Sequence, residues 1–305
     1  MPKSNNKILI VAAFFSIYVI WGSTYLLNKI AVTELPPFML ASIRFTVASI
    51  LIFIIAKISG ISLAITKKQF INCSIIGFLF LTFGNGGVVW ALKYVDSGFT
   101  ALEISAQPLV ILLMMYFLEG KKIQPMSMIG VLFGIIGIYL LVSQKELISQ
   151  EGMALGMFTI FLCMLSWAFG SLYVAKADFP KNYFINTGYQ MLTGGVMLFV
   201  ASLLFGEKWS SPTKWTQPVQ ISMGLLIIFG SIIAFTAFNF LLRVVSPEKV
   251  ATSTYVNPII ALFMGWYLLN EQVTEQSIIA AIILLTGVYF INTKKKLTLY
   301  SRFKK

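Results

Sequence analysis

Residues 92–118 read LKYVDSGFTALEISAQPLVILLMMYFL, and residues 242–268 read LRVVSPEKVATSTYVNPIIALFMGWYL. Laid together at a shift of 150, Leu92 meets Leu242, Lys93 meets Arg243, Val95 meets Val245 and Ala101 meets Ala251. Pro108 meets Pro258, and Leu112, Met114 and Leu118 meet Leu262, Met264 and Leu268. Further on, Gly137 meets Gly287 and Tyr139 meets Tyr289. Leucine and valine matches come cheaply in apolar sequence. The polar-proline pair Gln107-Pro108 on Asn257-Pro258, in one register with a glycine and a tyrosine, carries more weight. Nearer the N-terminus a shift of 146 sets Trp21 on Trp167 and Arg44 on Gln190. The chain is therefore read as two copies of one unit.

The medium of that unit follows from composition. The 305 residues are 58% hydrophobic and 11% charged, with a mean hydropathy of +0.85. A soluble domain carries about 25% charged residues. Half that charge cannot cover a water-facing surface, which excludes a soluble enzyme, a disordered chain and a secreted disulfide scaffold. A bilayer-spanning helix needs about 20 apolar residues, and runs of that length recur at 8–32, 37–57, 70–92, 97–118, 125–143, 152–175, 183–206, 218–242, 247–269 and 275–292. Each must be helical, because an unpaired backbone in lipid is too costly. Turn and charge signals fill the breaks: Pro36-Pro37, Lys67-Lys68, Lys121-Lys122, Pro180-Lys181, Ser211-Pro212 and Ser246-Pro247. The first run lacks a small-residue cleavage site and is read as a retained helix.

The expected fold is thus an all-α integral membrane protein with ten transmembrane helices. Residues 1–145 and 146–305 form the two five-helix repeats, the second with a basic tail. An even number of spans puts both termini on one side. With that side cytoplasmic, the inner segments hold most of the 23 basic residues, including Lys67, Lys68, Lys121, Lys176, Lys181 and the tail Lys294-Lys295-Lys296, while Lys93, Lys145, Lys208 and Lys214 lie outside. This asymmetry supports cytoplasmic termini. It also accounts for the net charge of +12 without nucleic acid, leaving lipid head groups as partners of the tail. Because five is odd, the second repeat enters from the opposite side, so the halves are inverted. Inverted repeats belong mainly to transporters that alternate access to a midplane site.

Other chemistries lack their residues. There is no histidine, which removes the commonest general base and metal ligand. Cys73 and Cys163 lie singly in apolar runs and read as packing residues. The cluster Gly84-Asn85-Gly86-Gly87 is followed by no Gly-Lys-Ser/Thr and is no phosphate loop. No metal, cofactor or catalytic set is expected.

Polar groups inside the apolar runs are the candidate site residues. Arg44 and Glu103 lie at similar depths, roughly 10 Å from the same end of their helices at 1.5 Å per residue. Three readings stay open: a buried ion pair that fixes packing, a substrate anchor at Arg44 that Glu103 balances or serves by carrying a proton, and lipid-exposed snorkelling. Lys29, within a turn of its helix end, reads as a snorkelling lysine that can also join this cluster. Gln107 and Asn257 precede prolines that free the carbonyls of Ile104 and Thr254 and can kink their helices. Trp21 and Trp167 lie too deep for an interfacial belt. With Tyr25, Trp90, Tyr173, Tyr189 and Tyr255 they either line a cavity for a partly apolar solute or pack the core. Asn85, Asn239 and the repeat partner Gln190 either bond across helices or face the cavity. Gly22, Gly84, Gly86, Gly87, Gly194 and Gly195 read as sites of close helix contact.

Trp21-Gly22-Ser23-Thr24-Tyr25, followed by Pro36-Pro37 and Arg44-Phe45 with Ala48, resembles the opening of an EamA-type member of the drug/metabolite transporter superfamily. The Pro258 helix running to Asn270-Glu271, then Gly287-Val288, resembles a second EamA repeat. The resemblance spans nearly the whole chain. It implies ten helices in inverted halves, a bacterial cytoplasmic-membrane location, and export of amino acids or related metabolites. One departure stands out: the position of Glu271 is occupied by Lys121 in the first repeat, with Glu119 two residues earlier. Both acids read as helix-end residues outside the translocation site. The expected function is a secondary transporter exporting small metabolites such as amino acids or aromatic compounds by alternating access. The alternative is a membrane enzyme acting on lipid-linked substrates. Oligomeric state is left open, a monomer being compatible with the sequence.

Overall fold

A computed structural model describes residues 4–121, 123–143, 151–174, 176–245, 250 and 253–292. Among them there is no strand. Seven helices are long and apolar enough to cross a membrane: α1 (Lys7–Val32), α2 (Pro37–Ile58), α3 (Lys67–Ala91), α4 (Ser97–Glu119), α6 (Met153–Val174), α7 (Tyr183–Leu204) and α8 (Gln217–Val244). Three further apolar helices are shorter: α5 (Pro125–Val142), α9 (Ser253–Leu269) and α10 (Glu275–Asn292). A 3-10 turn, Pro212–Lys214, lies between α7 and α8.

The surface is apolar and the interior partly polar. Ile58, Phe117 and Leu204 are 75–81% exposed, whereas Arg44, Gln190 and Asn239 are buried. A soluble protein does not leave so much apolar surface uncovered; acyl chains suit it.

Helix ends follow local chemistry. Thr66 and Gln69 form a capping box at the start of α3. Glu207, beyond α7, accepts from the Phe38 and Met39 amides at the start of α2. Glu271, beyond α9, accepts from the Ser97 and Gly98 amides at the start of α4. Both put a negative charge on a helix N-terminus, where the dipole favours it. Lys29 does not join Arg44 and Glu103. Its ammonium donates to the Leu92 and Val95 carbonyls at the end of α3 and lies 3.6 Å from Asp96. Gly120 ends α4 in the left-handed region (φ 62°), and Asn270 ends α9 likewise (φ 54°), 150 residues apart.

Repeat partners pack on each other. In bilayers, association rests on close packing rather than a hydrophobic drive, and glycines supply it. A Cβ on Gly195 of α7 would lie 2.9 Å from the Thr46 amide of α2. One on Gly130 of α5 would lie 2.5 Å from the Gly287 carbonyl of α10. Gly98 of α4 sits against Leu262 of α9. Gly22, Gly84, Gly86, Gly87 and Gly194 are likewise contact points.

The two repeats also share a hydrogen bond. Gln107 Nε2 donates to the Met164 carbonyl at 3.0 Å. Asn257, with its amide nitrogen turned inward, donates to the Tyr18 carbonyl at 2.8 Å and the Ile17 carbonyl at 3.1 Å. Gln107 and Asn257 are 150 apart, and Tyr18 and Met164 are 146 apart. The two bonds are therefore the same bond made once in each direction across the repeat.

Candidate functional site: a cavity between the repeats

Three π-helical stretches loosen the core: Ser16–Ile20 in α1, Gly77–Asn85 in α3 and Leu226–Ile233 in α8. Such stretches leave i→i−4 partners unmet and often mark functional sites. Here side chains take up some freed carbonyls. Asn257 reaches Ile17 and Tyr18, and Trp21 Nε1 donates to the Gly230 carbonyl at 3.4 Å. Proline acts unequally in the two repeats. At Pro108, α4 is broken after Ile104 and resumes at Gln107. At Pro258 the helix runs on without a break from Ser253 to Leu269.

These irregular segments border a cavity of about 1090 Å³ with walls from both repeats. Of the candidates read from the sequence, Trp21, Tyr25, Arg44, Asn85, Gln107, Trp167 and Asn257 line it. Its middle is aromatic. Trp21 meets its repeat partner Trp167 edge-on at 6.2 Å between centroids, and Phe238 lies 5.0 Å from Trp21. The Asn85 Oδ1 accepts no hydrogen bond among the described residues.

Arg44 stands at the deep end. It is 3% exposed, and its guanidinium lies 4.9 Å above the Phe45 ring. Nε donates to Ser231 Oγ at 2.8 Å and Nη1 to Asn28 Oδ1 at 3.4 Å. A guanidinium has five N–H donors, so the remainder of the fork has no protein acceptor among the described residues. Of the three readings, the pair with Glu103 does not form: among the described residues no ion pair joins them, and Glu103 Oε2 has no partner. Common depth did not suffice, because depth leaves the direction around each helix axis unspecified. Asn28 and Ser231 were missed by sequence reading. Asn28 had a signal, lying seven residues beyond Trp21 on the same face of α1. Ser231 had none.

The other end is open. Lys121 and Lys176 line it with side chains 60% and 70% exposed, and both pair with Glu119, at 2.8 and 2.7 Å. Among the described residues the charged wall is Arg44, Lys121, Lys176 and Glu119: three cations and one acid. Glu119 and Glu271 both lie at helix ends, but Glu119, read from the sequence as outside the site, lines the cavity mouth because Lys121 and Lys176 hold it there.

Several candidates do not reach the cavity. Gln190 and Asn239 belong to a closed amide ring with Asn186. Asn186 donates to Asn239 (3.3 Å), Asn239 to Gln190 (3.2 Å) and Gln190 to Asn186 (3.1 Å), while Asn239 also donates to Thr187 Oγ1. The Tyr173 hydroxyl donates to Asn72 Oδ1 at 2.7 Å, and Trp90 packs on Tyr94. Tyr189 donates to the Leu63 carbonyl. Glu103 is also off the wall. The Tyr255 side chain lies outside the described residues. The ring predicts a separation of stability from binding. Asn239→Ala leaves buried amides unmet, at a cost of about 1–3 kcal/mol. The thermal midpoint in detergent should fall while the half-saturation constant for transport stays unchanged; a raised half-saturation constant at unchanged stability would place the ring in the binding site.

The EamA-like transporter family matches residues 8–143 and again 154–293. An uncharacterized inner membrane transporter of Escherichia coli (strain K12), YedA, is 33% identical over 93% of this chain and 91% of its own length. The uncharacterized transporter YoaV of Bacillus subtilis (strain 168) is 24% identical over 93% and 96%. A crystal structure 18% identical to the chain shares its fold, with a TM-score of 0.66 over 96% of this chain and 98% of that one. Such relatives and several membrane-crossing helices mark a multi-pass bacterial inner-membrane protein, and a transporter rather than an enzyme. With two repeats, each matching in turn, the chain belongs to the EamA-like transporter family of the drug/metabolite transporter superfamily.

Proposed function

We propose that the protein is a secondary transporter that exports small metabolites carrying an anionic group on an apolar or aromatic body. Amino acids and aromatic acids are the first to test. The observation that carries this reading is Arg44: a buried guanidinium at the blind end of the cavity, with donors to spare and no acid bonded to it. A cation so placed attracts a carboxylate or phosphate through charge-assisted, bidentate hydrogen bonds, and the aromatic wall takes the remainder of the solute.

The topology of the proposal is ten spans, with two inverted five-helix halves meeting near residue 145 and both termini cytoplasmic. The open end with Lys121 and Lys176 then faces the cytoplasm, and the cavity is inward-open. Contacts at the other end support this: α4 and α9 close together at Gly98 and Leu262. Rocking of the halves would exchange the closed and open ends around the tryptophan pair. A substrate or ion gradient supplies the energy. The lining residues come from one chain, so a monomer suffices.

Purified protein in proteoliposomes tests the reading. Flux of labelled aryl-carboxylates should saturate and be competed by unlabelled carboxylates, but far less by the matching neutral amides. Equal competition by the amides would reject an anion site.

A further inference from the structure

Two buried polar atoms on α4 have no partner among the described residues: Thr100 Oγ1 and Glu103 Oε2. Thr100 is fully buried and Glu103 is 6% exposed. An unmet buried polar group costs about 1–3 kcal/mol, more when charged, so two side by side on one helix face call for a reason. At the repeat shift of 150, Thr100 corresponds to Val250 and Glu103 to Ser253. Val250 and Ser253 both line the open cavity.

The correspondence extends to the facing helix. Leu112, Met115 and Leu118 of α4 line the open end. Their counterparts on α9 are Leu262, Gly265 and Leu268. Two of these lie at the closed end now: a Cβ on Gly98 would be 2.8 Å from Leu262, and one on Gly265 would be 2.9 Å from Ser97 Oγ. The shared bonds from Gln107 to Met164 and from Asn257 to Tyr18 hold the two repeats in matching arrangements at the centre. Exchange of the two halves' arrangements therefore separates the first half of α4 from the second half of α9. That opens a cavity on the opposite face with Thr100 and Glu103 in its wall.

We propose that Glu103 and Thr100 form a polar subsite of the opposite-facing cavity, occluded in the present state, where the Glu103 carboxylate weakens the hold on an anionic solute. The subsite rests on the alternating-access reading, and its effect on affinity rests on the anion reading. Among the described residues, Arg44 and the mouth lysines outnumber Glu119 in the present cavity and make it cationic. Its counterpart gains a carboxylate where this one has Ser253. An anion is thereby bound more tightly from the cytoplasmic face than from the outer face. The asymmetry sets the two half-saturation constants; the gradient still sets the net direction.

Single cysteines placed in a transport-competent background with Cys73 and Cys163 replaced test the exposure. Thr100→Cys and Glu103→Cys should react with a membrane-impermeant maleimide from outside, and Ser253→Cys only from inside. In folded protein, failure of both α4 cysteines to react from outside, or reaction from the same side as Ser253→Cys, overturns the subsite. Labelling does not depend on solute charge, so it separates this inference from the anion reading. The charge effect is read with 4-hydroxyphenylacetate as probe. Glu103→Gln should lower the outer half-saturation constant roughly tenfold, as loss of a like charge across several ångströms does, and leave the inner one within about twofold. Equal shifts on both faces, or none, would remove the proposed role of the carboxylate.

Discussion

Arg44→Gln should reduce the transport of an anionic substrate by about 100-fold while the protein remains folded and monodisperse. Truncating one partner of a buried charge pair costs about 2–5 kcal/mol, and each 1.4 kcal/mol is tenfold. Glutamine keeps an amide donor for Ser231 or Asn28, whose oxygens accept from the guanidinium now. It loses the charge and the free part of the fork. The loss should fall on half-saturation for anions, with neutral competitors unaffected. Arg44→Lys should recover part of the affinity, since it restores charge without the planar fork. If Arg44→Gln instead lost thermal stability along with activity, while Arg44→Lys restored both, the residue would be holding α2 to α8 rather than holding substrate.

The other large effect is structural. Gly287→Leu should destabilise the protein by about 3 kcal/mol, the upper end for a forced overpacking. Gly287 crosses α5 backbone to backbone. A Cβ there would lie 2.8 Å from the Gly130 carbonyl and 2.9 Å from the Gly134 amide. No flexible side chain can yield, so α10 must move off α5. In a bilayer close packing is the main hold on that pair, helped by Gln276 donating to the Leu140 carbonyl and Ser127 to the Ile291 carbonyl at its ends. The readout is a lowered midpoint and loss of the monodisperse peak on heating in detergent. Gly224→Leu is the control, because no atom lies within 4 Å of a Cβ built there. Equal behaviour of the two variants would mean that the α5–α10 contact does not limit stability.

The sequence was most legible where one-dimensional signals suffice. Hydropathy marks helices whose observed ends lie within a few residues of the expected ones, the start expected at 247 lying outside the described residues, because lipid leaves the backbone no alternative to helix over an apolar run. The pairing of Gln107-Pro108 with Asn257-Pro258 pointed to the repeat, and the structure adds the reciprocal bonds that make both amides structural as well as cavity-lining. The unequal action of the two prolines was not legible. A proline removes one donor, but the surrounding packing decides whether the chain breaks, as after Ile104, or continues, as through Pro258.

For the polar residues, the sequence by itself determined which groups would be costly in a membrane: Arg44, Glu103, Gln107, Gln190, Asn239 and Asn257. Their rarity in an apolar run is visible without any fold. Only the tertiary structure decided what each one meets. Arg44 faces the cavity with Ser231 and Asn28, residues 187 and 16 positions away. Gln190 and Asn239 close on Asn186 and leave the wall altogether. Glu103 meets neither Arg44 nor the cavity. Position along a helix gives depth, but partners depend on rotation about the axis and on which helices lie beside it. Those are set by glycine contacts such as Gly195 on Thr46 and Gly130 on Gly287, between residues far apart in the chain.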